Sequence, residues 1–169
     1  FAYMGSKALF AAIRFDIFTI LADGPRTADA IAEAAGLPPE RCRTLMTALT
    51  SLGLTTADGD LFANSQAAEA FLVKGAKYDF SDYLSRQVGQ QMYPLMDQIE
   101  DALADTLDDA ATGSYADWFS DPAEARLYSE SQHKGSLGPA RQLSKKLDLS
   151  AARSMLDVGG GTGAFSITF

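Results

Sequence analysis

The sequence predicts a mainly α chain in two parts. Residues 1–145 form a helical, winged-helix-like domain, and residues 146–169 form the truncated start of an α/β Rossmann-like domain. Three observations predict this. Apolar residues recur at helical steps of three and four through much of the first part. Three such helices run directly into a hairpin signal, which is winged-helix order. The last fifteen residues read as a short apolar strand, an acidic residue, a glycine loop and the first turn of a helix.

The elements follow in order. Residues 7–22 space Leu9, Ile13, Ile17, Ile20 and Leu21 along one helix face, and Asp23-Gly24-Pro25 ends that helix. Thr27 caps a second helix, which carries Ala30, Ile31 and Ala34 and stops at Gly36. Pro38-Pro39-Glu40 opens a third, since proline is tolerated in a first helical turn. Its apolar face is Cys42, Leu45, Met46, Leu49 and Leu52, with Gly53 as its stop. Two short strands around Asp58-Gly59 make the hairpin. Asn64 or Ser65 then starts a helix through Phe71 and Leu72. Residues 79–109 read as helical, with Pro94 expected to break or kink the run. Gly113-Ser114 marks a turn before Tyr115, Trp118 and Phe119. Asp121-Pro122 starts a helix ending near Gly135 or Gly138, and Pro139 opens another. Ser154 to Val158 is the expected strand.

Composition bounds the function. The chain is 47% apolar and 21% charged, as in a soluble globular protein, and no apolar run approaches the length of a membrane span. One cysteine, Cys42, precludes an internal disulfide, which fits a cytoplasmic location. Cys42 reads as core filler. One cysteine and one histidine argue against a zinc site, and no metal is expected. The formal net charge is −8. Residues 1–75 hold six basic and eight acidic side chains, and residues 76–169 hold eight and fourteen. Such an acidic surface repels a nucleic-acid backbone. The acidic run Asp97, Glu100, Asp101, Asp105 and Asp108 reads as a solvated helix face.

The stretch Asp157-x-Gly159-x-Gly161-x-Gly163 sets an acid and three glycines on alternate positions. Glycine lets the backbone turn with positive φ and lets a ligand approach without a Cβ. Dinucleotide loops read Gly-x-Gly-x-x-Gly and place pyrophosphate at the helix that follows. Here the last spacing is one residue shorter, and a carboxylate precedes the first glycine by two. That suits a cationic or zwitterionic ligand better than a phosphate.

Leu156-Asp157-Val158-Gly159-Gly160-Gly161-Thr162-Gly163 resembles the first S-adenosylmethionine (SAM) motif of class I methyltransferases, in the triple-glycine form of the caffeate-type (plant-like) O-methyltransferase family. That family sets a helical, winged-helix-like dimerisation domain before a Rossmann-like catalytic domain. The resemblance implies a dimerisation and substrate-wall domain over 1–145, the opening of a SAM-binding domain over 146–169, and a homodimer through the N-terminal domain; composition and charge add the expectation of no membrane or nucleic-acid partner. It implies that Asp157, Gly159, Gly161 and Gly163 line the cofactor, with Ser136 as a further contact offset by about one position. It puts the ribose-binding acid and the catalytic base beyond Phe169, in a C-terminal half.

The helix before the loop helps wall the acceptor pocket in that family, and here it includes Tyr128, Gln132 and His133. With Trp118 and Phe119 these are the candidate substrate-binding residues. Polar Gln132 and His133 beside Tyr128 point to a small polar acceptor rather than a wide aromatic one. The segment resembles the branch that S-methylates 4-methylthio-2-hydroxybutyrate on the route to dimethylsulfoniopropionate, and Arg86, Lys134 and Arg141 are candidates to hold a substrate carboxylate. The alternative acceptor is an aromatic or polyketide-type natural product. Two non-enzymatic alternatives stand beside these: a dimerisation module, and a winged-helix DNA-binding regulator. The would-be recognition helix carries Arg41 and Arg43 against Glu40, and the wing carries only Asp58 and Asp60, which disfavours the regulator. A lone parallel strand is normally covered on both faces, so residues 154–169 are expected to be disordered, swapped or covered by another polypeptide.

Overall fold

The computed structural model describes residues 2–107 and 119–169. Its contacts divide the chain into two units, Phe1–Ser85 and Arg86–Phe169.

In the first unit, the helix expected over residues 7–22 is two helices, α1 (Ala2–Arg14) and α2 (Ile17–Leu21). The break is at Asp16, which takes the left-handed conformation at φ 54°. Aspartate is one of the few residues with a side chain that visits this region. The break turns Ile17, Phe18 and Leu21 into the core, where all three are buried. Helix periodicity spans the break because both pieces are amphipathic.

Helix α3 (Ala28–Ala35) begins as the sequence predicts. Thr27 Oγ1 accepts from the Ala30 N–H at 3.3 Å, filling one orphan position of the first turn. It ends at Gly36, φ 66°, with the Leu37 N–H on the Ala32 carbonyl at 2.8 Å. Helix α4 (Pro39–Ser51) has proline at its first position and buries Cys42, Met46 and Leu49. Strands β2 (Thr55–Asp58) and β3 (Leu61–Asn64) pair antiparallel with Asp58 opposite Leu61. Gly59 supplies the positive φ, 60°, that the first central position of a tight hairpin turn demands. A two-residue strand, β1 (Arg26–Thr27), adds to β3, giving the order β1-β3-β2. Two residues are too few to show a period of two, so the sequence gives no sign of it. Ser65 caps α5 (Gln66–Phe71) by accepting from the Ala68 N–H at 3.2 Å.

Asn64 ties three elements together. Its Nδ2 donates to the Phe18 carbonyl at 2.8 Å and to Glu69 Oε2 at 2.7 Å. Asn64→Ala strands the Phe18 carbonyl, and its expected cost is about 1–3 kcal/mol. Urea unfolding of the variant checks this, and an unchanged midpoint would contradict it.

The core holds Ala12, Ile17, Phe18, Leu21, Ile31, Ala32, Cys42, Met46, Leu49, Ala68 and Leu72. Cys42 is fully buried, as its helical spacing suggests. Burial, and then the Asp29 carboxylate, push its thiol up, against a smaller pull down from Arg43. A raised thiol holds little thiolate, which is the reactive form. Native protein is therefore expected to resist a disulfide-exchange reagent at pH 8 and to yield one thiol on unfolding. Rapid labelling of folded protein would overturn that expectation.

Residues 83–103 are helical, but not as one α-helix. A π-helix covers Tyr83–Met92, followed by α6 (Tyr93–Leu95), a 3₁₀ turn over Met96–Gln98 and α7 (Ile99–Leu103). The expected disturbance at Pro94 takes this form. Pro94 lacks an N–H and crowds the carbonyl four residues before it. The ladder widens ahead of it and tightens after it.

In the second unit, Pro122–Ser144 is one continuous helix, α8, where the sequence suggested a stop near Gly135 or Gly138 and a new helix at Pro139. Asp121 caps it, accepting from the Ala123 N–H at 2.8 Å. Neither Gly135 nor Gly138 takes the positive φ of a helix stop. Proline disfavours helix at the residue before it partly by a clash with that residue's Cβ. Gly138 has none, so the helix passes through. Ala140, just beyond, is fully buried and holds that turn in place.

The strand expected at Ser154–Val158 is not formed; residues 152–157 carry no regular structure. A strand is defined by its ladder, and among the described residues none pairs with this segment. Leu156 is 86% exposed and Val158 85%. The chain then turns through the glycines into α9 (Ala164–Thr168). No helix among the described residues is long and apolar enough to cross a membrane.

Candidate cofactor and acceptor site

The glycine loop is built by its own backbone. Gly159, Gly161 and Gly163 all lie in the left-handed region, at φ 71°, 52° and 72°. The Gly163 N–H closes the bend onto the Gly160 carbonyl at 2.8 Å, and the Ile167 N–H bonds the Gly163 carbonyl at 2.8 Å to start α9. A Cβ placed on Gly159 would meet nothing within 4 Å, and one on Gly161 only the Gly159 carbonyl oxygen, at 3.9 Å. The bare faces of these two glycines are therefore open to a ligand. This is the feature a cofactor needs if it is to lie flat on backbone.

Asp157 behaves differently from its neighbours. Its carboxylate accepts from Ser166 Oγ of α9. It also lies over Gly160, where a Cβ would stand 2.6 Å from Asp157 Oδ2 and 2.7 Å from its Cγ. Gly160 is thus needed for the carboxylate's position rather than for a turn. Spacing alone singled out the alternate glycines and passed over Gly160. Asp157 also lines a crevice of about 590 Å³ with Met155, Leu156, Phe165 and Phe169.

Helix α8 supplies the side chains opposite. Gln132 Nε2 donates to the Tyr128 hydroxyl at 3.1 Å. Phe119 packs edge-on against the Tyr128 ring, with centroids 5.1 Å apart and planes at 73°. These three candidates form one cluster. Trp118 lies outside the described residues. His133 makes a different contact: its Nδ1 is 2.8 Å from Thr162 Oγ1, in the middle of the glycine loop. Sequence reasoning did not single out Thr162. It is the only side chain between Val158 and Ala164 other than hydrogen, and that was the available signal. Ser136 stands on α8 three residues after His133, partly buried.

On the neighbouring arc of α8, Tyr128 and Ser131 line a cavity of about 20 Å³ with Arg86, Gln87, Gln91 and Glu124. Arg86 Nη1 is 4.0 Å from Glu124 Oε1. A cation so placed already faces a carboxylate. Lys134 and Arg141 lie on α8. Among the described residues no three His, Cys, Asp or Glu side chains gather as a metal site.

Residues 1–74 match the O-methyltransferase dimerisation domain. Over 172 residues the chain is 33% identical to the N,N-dimethyltransferase OxyT of Streptomyces rimosus, covering 96% of this chain and 48% of the relative. Over 164 residues it is 29% identical to the tetracenomycin polyketide synthesis 8-O-methyl transferase TcmO of Streptomyces glaucescens, again covering 96% and 48%. Among solved structures, human N-acetylserotonin methyltransferase in complex with SAM matches with a TM-score of 0.84 at 22% identity, over 99% of this chain and 52% of that one. At that identity the likeness bears on the fold. The chain spans about half the length of the curated relatives it matches.

Proposed function

We propose that this protein is a SAM-dependent methyltransferase acting on an oxygen or nitrogen of a small aromatic or polyketide-type acceptor, as a cytoplasmic homodimer held through residues 1–74. The observation that carries this reading is a coincidence in one chain. An O-methyltransferase dimerisation domain at residues 1–74 is followed by a loop whose glycine faces at Gly159 and Gly161 are open. The helices and hairpin of residues 1–64 are read as a winged-helix arrangement serving dimerisation, and residues 146–169 as the opening of the cofactor domain.

The residues fit the cofactor. Gly159 and Gly161 would bear its flat surface, Asp157 its cationic part, and Ser136 a further polar contact, with Gly163 lining the site from the start of α9. When bound, SAM supplies an electrophilic methyl on a sulfonium. The chain's own work is alignment and exclusion of water, which are the main demands of an in-line displacement. Phe119 and Tyr128 would present ring surface to a planar acceptor, and Gln132 would meet a polar substituent at its rim. A hydroxyl acceptor also benefits from a base. No described residue is assigned that role.

The names of the curated relatives, which specify O- and N-methylation, favour this acceptor class over S-methylation of 4-methylthio-2-hydroxybutyrate. The thioether reading rests on the polar Gln132–His133 segment beside Tyr128. Calorimetry of the full-length protein with SAM and S-adenosylhomocysteine tests the cofactor. Radiolabelled methyl transfer to a phenolic polyketide, an aromatic amine and the thioether acid tests the acceptor. Absence of cofactor binding would sink the proposal, and transfer to the thioether acid alone would reverse the choice of acceptor.

A further inference from the structure

We propose that His133 is a positioning residue that fixes the glycine loop to the acceptor-wall helix, so that cofactor and acceptor binding are coupled through one hydrogen bond. This rests on the reading of the loop as the SAM site. The argument starts from the loop's composition. Gly159, Gly160, Gly161 and Gly163 lose more conformational freedom on ordering than any other residue would, and they offer no side chain by which the rest of the protein can hold them. Thr162 is the single handle. Its hydroxyl is taken by His133 Nδ1 at 2.8 Å. Either tautomer serves, because a hydroxyl both donates and accepts.

The other end of the tether is stiff. His133 stands in the middle of the 23-residue helix α8, and that helix also carries the Tyr128–Gln132 pair. At about 100° per residue, Tyr128, Gln132, Ser136 and His133 fall in that order within an arc of roughly 140°. One side of α8 thus carries both the acceptor cluster and the loop contact. A group that orders the loop also fixes the register of this arc. An acceptor that orders Tyr128 and Gln132 stabilises the same arrangement. Coupling of this kind is reciprocal. His133 was a candidate substrate contact on sequence grounds; its bond to Thr162 gives it a different task.

The test uses the full-length protein and S-adenosylhomocysteine as the probe, titrated with and without a saturating accepted substrate. His133→Ala and Thr162→Val are each expected to weaken the probe roughly fivefold to tenfold. The double variant is expected to be no weaker than either single one, and Thr162→Ser, which keeps the hydroxyl, to bind as wild type. In both single variants, the acceptor's effect on probe affinity should shrink toward none. A residue that merely supports the fold would shift the melting temperature without removing that acceptor effect. Additive losses in the double variant, or unchanged probe affinity in folded His133→Ala, would overturn the inference and leave the SAM reading intact. Failure of wild-type protein to bind the probe would remove both.

Discussion

Gly161→Val in the full-length protein is expected, on the proposed reading of the loop, to lower SAM affinity by roughly 30-fold, from a penalty of about 2 kcal/mol. Gly161 sits at φ 52°, a conformation in which a β-branched residue is an outlier. The variant must either bear that strain or rebuild the loop. Rebuilding would also disturb the neighbouring Gly159 face, because the two glycines share one bend, each in the left-handed region. The first unit does not contain Gly161, so its unfolding midpoint should not move. Calorimetry with SAM, beside thermal melts, separates the two effects. Wild-type affinity in the folded variant would mean that the loop does not carry the cofactor.

Phe18→Ala is expected to be the most damaging single change to the first unit. Phe18 is the largest fully buried side chain among the described residues. Its removal costs about 3–5 kcal/mol, from lost transfer energy and the cavity left behind. In a unit of this size that is a fall of at least about 12 °C in melting temperature. The damage should extend to association, because the residues that hold Phe18 also shape the domain read as the dimer interface. Sedimentation of the variant would then show monomer or aggregate. A melting temperature within a few degrees of wild type would show that neighbouring side chains collapse into the space.

The parts of this fold that were legible in the sequence are the parts set locally. Thr27, Gly36, Gly53 and Ser65 act within one helical turn, and each marks the boundary it was expected to mark. The features that were missed depend on partners elsewhere. Asp16 breaks a periodic run because the core wants Phe18 and Leu21 turned inward. Gly138 cancels the usual warning of Pro139, and that pairing is visible only when the two are read together. Strand β1 exists through β3, and the apolar run at Ser154–Val158 has the composition of a strand without a ladder. In the candidate site, the alternate glycines were legible from spacing. The tasks of Gly160, Thr162 and Ser166 were not, since each follows from where another side chain ends up.

The bare stretch at Leu156 and Val158 has a practical consequence. An apolar ribbon with its peptide groups unpaired is a template for any similar ribbon it meets. Wherever it stays uncovered, two copies can zip together through it, and further copies can add to the pair. The resulting haze would grow with protein concentration and would fade if Val158 were replaced by lysine, whose charge makes such stacking repulsive.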